Sequence, residues 1–392
     1  MLIKSTPDTW SRLAQMSAAT RFEPAGDQPH NERARVRHAG DGRYQSRSLE
    51  ECVTQVATPR GKKPVLKTMV TTACERNCFY CPFRAGRSKT ERITIKPDDI
   101  AKAFDAMQRV KMVDGFFLSS GIVKGSVTTQ DRLLDTVEIV RRRYQYRGYI
   151  HLKVMPGIEA DQLLRAMQLA DRVSVNLEAP TPSRLHALAP QKEFERELLS
   201  LLSLADRFRR ERPHEKLAST VTQFVVGAVG DTDLELLALT EKLHRHARLA
   251  RAYYSAFHPV EDTPFENMQP TPLQREFRLY QSSFLLRDYG WSVEELPFTE
   301  SGNLPLEIDP KQAWAEANLR HAPVELMTAD REQLMRVPGI GPKSAAAILQ
   351  ARRQRRITDL AHLRQLQIRG IERAAPFILL DGRRPLQQLP LL

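Results

Sequence analysis

From residue 64 onward the apolar positions along the chain switch between two periods. Short runs rich in β-branched and aromatic residues, at 65–72, 115–120, 149–155, 172–177, 217–226 and 250–257, read as strands. Between them, 97–113, 128–147, 159–170, 183–212 and 232–247 bring apolar residues back every three or four positions and read as helices, the fourth of them broken. Pro97 followed by Asp98 and Asp99 marks a helix start: a proline there sacrifices no bond, and acids suit the positive end. Regular alternation of strand and helix implies parallel strands joined by right-handed crossovers. Six such units predict an α/β fold, a partial (β/α)6 TIM-like barrel; an open doubly wound sheet fits the same periodicity.

The flanks differ from this middle. Residues 8–17 predict a short amphipathic helix with Trp10, Leu13 and Met16 three apart. Residues 21–47 are polar, charged and poor in aliphatics, and read as a loop or partly ordered arm. After 304–310 the composition changes again, dividing the chain into an N-terminal helix and arm (1–50), a barrel (51–304) and a small helical domain (305–392). In that last part a helix at 311–319 precedes one at 327–336, which Thr328 is placed to cap. Then comes Val337-Pro338-Gly339-Ile340-Gly341-Pro342-Lys343. Two glycines make a tight turn that exposes backbone N–H groups, Pro342 opens the next helix, and Lys343 adds a cation. A weaker copy follows, with a helix at 359–366, a hairpin at 367–371 holding one glycine, and a second helix at 372–380.

Charge sharpens the picture of the tail. The chain holds 59 Lys plus Arg against 47 Asp plus Glu, a net +12. From Arg320 to Leu392 there are 13 basic and 6 acidic residues, so more than half of the surplus lies in the final fifth. A phosphate-rich partner is what such a surplus attracts. No apolar run approaches the ~20 residues that cross a bilayer, and the first residues lack a signal-peptide core, so the reading is no membrane and a cytoplasmic location.

The cysteines carry the chemistry. Three of the four fall in one loop after the first barrel strand, Cys74, Cys78 and Cys81, spaced C-x3-C-x2-C. Such usage is no disulfide framework and points to a reducing compartment. Three soft thiolates on one loop can converge on a metal centre. Structural zinc asks for four protein ligands, and no fourth Cys or His lies close by in sequence; zinc completed by a distant His, or three unrelated thiols, are the alternatives. An iron–sulfur cluster held by three cysteines keeps one iron open to a non-protein ligand. Cys52 reads as a free buried thiol. In barrels the chemistry sits at the carboxyl ends of the strands, where Ser119-Ser120-Gly121, Asn176-Leu177-Glu178, Val226-Gly227 and His258-Pro259 fall. Tyr253 and Tyr254 read as one core and one surface residue, and His258 as a structural loop residue.

This cysteine loop, with Tyr80 just before the last thiol, resembles the signature of the radical S-adenosylmethionine (radical SAM) enzymes. The resemblance implies a 4Fe–4S cluster on Cys74, Cys78 and Cys81, with the methionine end of SAM on the open iron and Tyr80 near the adenine. Ser119, Ser120 and Gly121 stand where that family holds the SAM amino group, without its usual glutamate. Asn176 and Glu178, on one side of a strand, stand where it holds the ribose; Gln223, Val226 and Gly227 where it packs on adenine. Arg84 and Arg87 are placed to meet the SAM carboxylate or a substrate phosphate. The tail resembles a helix-hairpin-helix motif, whose turn, here Gly339, Ile340, Gly341 and Lys343, grips a backbone phosphate. From about residue 50 to 385 the whole is similar to DNA modification or repair radical SAM proteins with a C-terminal helix-hairpin-helix domain. That likeness implies 5′-deoxyadenosyl radical chemistry on a DNA base or lesion, fed by an electron donor such as a flavodoxin or ferredoxin. An RNA or small-molecule substrate with the tail as anchor, and a non-catalytic DNA-binding iron–sulfur protein, are the alternatives.

Overall fold

Seven strands form one sheet whose spatial order is their order in the sequence. They are β1 (Val53–Thr58), β2 (Gly61–Met69), β3 (Gly115–Ser119), β4 (Tyr149–Lys153), β5 (Arg172–Ser174), β6 (Ser219–Val226) and β7 (Arg251–Ala256). Every step from β2 to β7 is parallel, so the six predicted strands are present, and the sheet curls into a half-barrel. The computed structural model describes residues 8–20, 52–58, 61–368 and 370–385; the predicted arm at 21–47 lies outside them.

The sequence reading missed β1, which pairs antiparallel with β2, Val53 opposite Leu66. Its residues, Val-Thr-Gln-Val-Ala-Thr, carry no large apolar side chain, because an edge strand needs little burial. Val56 is its anchor, packed on Val65 and Phe117.

Both faces of the parallel strands are covered, and β3 is buried at every position. The faces follow the period of two. Phe116 stacks on Phe104 of helix α2 (Pro97–Arg109), ring centroids 4.7 Å apart, while its neighbour Phe117 turns the other way, edge-on to His151 at 4.9 Å. On the latter face Arg172 of β5 reaches across β6 to the Tyr253 hydroxyl of β7, 3.1 Å away, so this face is the concave one. Tyr254 points outward and stacks on Phe224. Both tyrosines are buried, which corrects the reading of one as a surface residue: a strand covered on both sides leaves no surface position.

Between the strands run α2, α3 (Ser126–Glu138), α4 (Ala160–Leu169), α5 (Pro182–Leu188), α6 (Ser200–Glu211) and α7 (Asp233–Ala247). The break foreseen within 183–212 is the loop after Leu188 and a wide π-type turn at Phe194–Leu199. Ahead of β1, α1 (Thr9–Thr20) buries Leu13 and Met16 and leaves Trp10 partly exposed.

The chain divides into two compact units, one of residues 1–231 and 243–271, the other of 232–242 and 272–392. The second contains α8 (Leu273–Asp288), α9 (Pro310–Asn318), α10 (Arg331–Arg336), α11 (Pro342–Ala351), α12 (Leu360–Gln365) and a parallel pair, β8 (Val324–Glu325) with β9 (Ile378–Leu379). Leu334, Val337, Ile340, Ile348, Ile357 and Phe377 lie in its core. Two expectations change here. The cap of α10 is Asp330, in a reciprocal capping box with Gln333, rather than Thr328. Residues 372–380 form two 3-10 turns, Ile371–Arg373 and Ala375–Phe377, and then β9, not a helix. Pro376 sits in the middle of that run and removes the N–H that a longer helix requires.

Candidate cluster site and helical hairpin

Immediately after β2 the chain turns into the cysteine loop, and backbone bonds pin the loop to the segment after β3 and to the end of α5. Glu75 N donates to Ile122 O at 2.8 Å and Phe79 N to Leu188 O at 2.9 Å. The Glu75 carboxylate in turn accepts from the amides of Lys124 and Gly125. Arg92 gathers the far side, its guanidinium donating to the carbonyls of Thr72, Phe83, Arg84 and Arg87 at 2.7 to 3.2 Å. Sequence reasoning passed over Arg92, since nothing local marks an arginine that serves four carbonyls. Arg87, foreseen at the SAM carboxylate, is engaged by the Pro82 and Glu261 carbonyls and the Thr90 hydroxyl. Arg84 lies over the Phe79 ring, with its buried Nε lacking a partner among the described residues.

Two of the three sulfurs accept backbone amides. Ile122 N donates to Cys74 Sγ and Phe83 N to Cys81 Sγ, each at 3.4 Å. Cys78 is buried; burial pushes its thiol pKa up, and the nearby Lys192 ammonium works against that. Among the described residues no three His, Cys, Asp or Glu side chains gather around one ion position. Cys52 lies apart, its thiol donating to the Leu13 carbonyl.

The strand tips surround this loop. Gly121 N donates to Thr71 O at 2.7 Å, and a Cβ on Gly121 would run into the Ala73 carbonyl, so only glycine lets the tip of β3 meet the cysteine loop. Ser120 bonds to the Gly121 carbonyl, while Ser119 Oγ is fully buried with no partner among the described residues. Past β5, Asn176 Nδ2 donates to Gln223 Oε1 of β6 at 2.8 Å. Glu178 bridges to Phe224 through the backbone at a positive φ of 66°, and its Oε1 takes a 3.0 Å bond from Lys192 Nζ. Burial works against the Glu178 carboxylate, yet Lys192 keeps its pKa below the ordinary value. Its Oε2 makes no hydrogen bond of good geometry among the described residues, but the Tyr80 phenol is close enough to help keep the carboxylate ionised. Tyr80 faces the same corner, its phenol pKa held well above normal by burial and then by the Glu178 charge. Val226 O accepts from Thr271 Oγ1, and Gly227 turns the chain at φ 88° with its N–H on the Asp231 carboxylate. His258 bonds to the Ala256 carbonyl, a loop role.

In the second unit the turn between α10 and α11 is built as a hairpin. Gly339 adopts φ 82°, and a Cβ there would stand 2.6 Å from the Gly370 carbonyl, so the weaker hairpin backs the stronger one. Lys311 Nζ donates to Ile340 O at 2.6 Å and lies over the Tyr289 ring. The Ile340 side chain is in the core, so only its backbone faces outward chemistry. Among the described residues neither the Gly339 nor the Gly341 amide has a protein acceptor, and Lys343 is exposed beside them. Free amides at the N-terminus of α11 favour an anion.

Residues 68–243 match the radical SAM superfamily and residues 324–351 the helix-hairpin-helix motif. No curated protein matches the chain. Among solved structures it is similar to the FeFe-hydrogenase maturase HydG from Carboxydothermus hydrogenoformans, at 16% identity over 56% of this chain and 50% of that one, TM-score 0.45. Methylornithine synthase (PylB) is similar at 15% identity over 56% and 60%, TM-score 0.45, and the cobalamin-dependent radical enzyme OxsB at 13% over 57% and 30%, TM-score 0.32. The chain thus spans half to three-fifths of the length of the first two. Radical SAM proteins bind a 4Fe–4S cluster and SAM, and the donor set fits both: three thiols with amides aimed at two of them, and the unpartnered Ser119 hydroxyl and the ionised Glu178 carboxylate alongside. The chain carries a radical SAM domain and, C-terminal to it, a helix-hairpin-helix motif.

Proposed function

We propose that this protein is a radical SAM enzyme that modifies or repairs a base in DNA. The observation that carries the reading is the presence, in one chain, of a three-thiol loop at a half-barrel mouth and a glycine hairpin with unengaged amides. In this reading Cys74, Cys78 and Cys81 hold the cluster, and SAM lies across the tips of β3, β5 and β6. Ser119 and the Gly121 region take its amino group, Glu178 Oε2 accepts from a ribose hydroxyl, and Gln223, Val226 and Gly227 border the adenine with Tyr80. When bound, the cluster and SAM supply a 5′-deoxyadenosyl radical that abstracts hydrogen from the substrate. The chain positions the target carbon and excludes water. Gly339, Gly341 and Lys343 hold a phosphate of the DNA backbone without reading sequence. A base stacked in a duplex cannot enter a barrel mouth, so the substrate is single-stranded or flipped. A low-potential electron donor, a flavodoxin or ferredoxin, completes the reaction.

The test is anaerobic reconstitution of the cluster, addition of SAM and dithionite, and measurement of 5′-deoxyadenosine with single-stranded DNA, duplex DNA, RNA or nothing. Stimulation by DNA above RNA is expected. Equal stimulation by RNA would move the substrate to RNA, and no product under any condition would leave a DNA-binding iron–sulfur protein.

A further inference from the structure

The concave face of the half-barrel has a chemistry that neither the cluster loop nor the hairpin uses. Strands β2 to β7 contain no Asp or Glu, whereas Lys67, His151, Lys153, Arg172 and Arg251 all stand at concave-facing positions. Four residues form one row across the sheet, Lys67 beside Phe117, Phe117 beside His151, and His151 beside Arg172. Tyr149 lies two residues before His151 on the same face. His151 is 1% exposed, and neither ring nitrogen has a partner among the described residues. Tyr149 Oη and Arg172 Nε are likewise buried and unpartnered, although Arg172 Nη1 donates to Tyr253 Oη.

One unpaired buried polar group costs roughly 1–3 kcal/mol, and native proteins keep few of them. Three of them stand on neighbouring positions of two paired strands. All three offer donors. A guanidinium only donates, a phenol donates its proton, and imidazole donates from at least one nitrogen. The six strands carry no carboxylate; Asp171, just before β5, bears on Tyr149, and Glu178, past its end, on Lys153. A partner for the three donors is a group with several convergent acceptors and negative charge. Burial and the neighbouring Arg172, Lys153 and Lys67 keep His151 neutral here; an arriving anion would reverse that balance and draw a proton onto the ring. The row lies two residues before the end of β2, deeper than the cysteine loop.

We infer that Tyr149, His151 and Arg172 form a binding site for a phosphate group of the substrate, on the concave wall below the cluster loop. The inference takes the half-barrel as the reaction chamber, as proposed above, but requires neither SAM cleavage nor the hairpin. Among the described residues β7 is an edge of the sheet.

Titration calorimetry on the full-length, cluster-reconstituted protein tests it, with deoxynucleoside 5′-monophosphates, the matching deoxynucleosides, and short single-stranded oligonucleotides with and without a 5′-phosphate. The phosphate should improve binding about tenfold or more, the worth of one charge-assisted contact. That advantage should disappear in Arg172→Gln and shrink in Tyr149→Phe, which removes one hydroxyl and no packing. Binding should take up a proton, read from its dependence on buffer ionisation heat, and His151→Phe should abolish the uptake. A preference for the 5′-phosphorylated oligonucleotide would place an end phosphate in the site; equal binding of both oligonucleotides, above the nucleoside, would place an internal phosphodiester there. Equal affinity for nucleoside and monophosphate, no binding at all, or an advantage that survives in folded Tyr149→Phe and Arg172→Gln would overturn the inference. DNA-stimulated SAM cleavage would stand in any of those cases, so the two failures are distinguishable.

Discussion

Lys192 Nζ stands 3.0 Å from Glu178 Oε1, and the two side chains are only 11% and 5% exposed. The pair bears electrostatically on Cys78, whose thiol Lys192 pulls toward the ionised form. Lys192 comes from the loop ahead of α6 and Glu178 from the tip of β5, so the contact ties a helical connection to the strand end that borders the cluster loop. Removing one partner of a buried pair leaves a bare charge in a poorly solvated place, at about 3–5 kcal/mol, whereas removing both is far cheaper. Lys192→Met should therefore lower the urea midpoint strongly, and Lys192→Met with Glu178→Leu should recover most of the loss. A single variant as stable as the parent would mean that the pair is solvated.

Gly121→Ala should separate folding from cluster binding. The added methyl would collide with the backbone carbonyl of Ala73 and lie 3.2 Å from Cys74 Cβ. Backbone cannot swing aside as a side chain can, so the cysteine loop must lift from β3. Iron and sulfide content after reconstitution should fall well below that of the parent, with far-ultraviolet circular dichroism unchanged. Full iron content in this variant would refute the close docking of loop and strand.

The hairpin yields two distinguishable effects. Lys343→Gln removes one exposed cation and should weaken DNA binding evenly across sequences, reducing the slope of log affinity against log salt by about one. Gly339→Ala must hold φ 82° and meet the Gly370 carbonyl, so it should destabilise the hairpin itself. Its DNA affinity should drop at every salt concentration, together with a lower melting temperature. A salt slope unaltered by Lys343→Gln would show that this cation makes no phosphate contact.

Lys311 gives the second unit a pH dependence. Burial, opposed by Asp309 and reinforced by Arg336 and Arg373, brings its pKa down to about 7 from the ordinary lysine value of 10.5. Between those values the unfolded chain binds more protons than the folded one, so unfolding free energy rises with pH across that window, by up to about 1.4 kcal/mol per unit. Below pH 7 the contribution is flat and least favourable. Lys311→Met should abolish this difference, so that parent and variant curves of stability against pH converge or part only between about 7 and 10. Parallel curves through that window would exclude a neutral lysine at Ile340.

Much of this arrangement is legible in the amino acids alone. Local signals are written in few residues: the C-x3-C-x2-C spacing, the period-two and period-3.6 runs, and the Gly-x-Gly turn followed by proline each need only their own neighbours. They suffice for six parallel strands, a thiolate loop at a strand end and a hairpin in a basic tail. Strand β1 escaped because an edge strand with one anchoring residue, Val56, has almost no hydrophobic pattern to read. Residues 372–380 misled because apolar spacing outweighed Pro376.

What the tertiary structure decided is how side chains distant in sequence share charge and hydrogen bonds. The sequence shows Glu178 as an available acid and Arg87 as an available base; folding commits one to Lys192 and the other to the Pro82 and Glu261 carbonyls. It also shows Tyr149, His151 and Arg172 as ordinary strand residues. Only register, which lays neighbouring strands side by side, reveals that their polar atoms are buried together without partners. Periodicity reports which face a residue takes, because that is set by its own backbone; it cannot report who stands opposite, because that is set by the closure of the sheet.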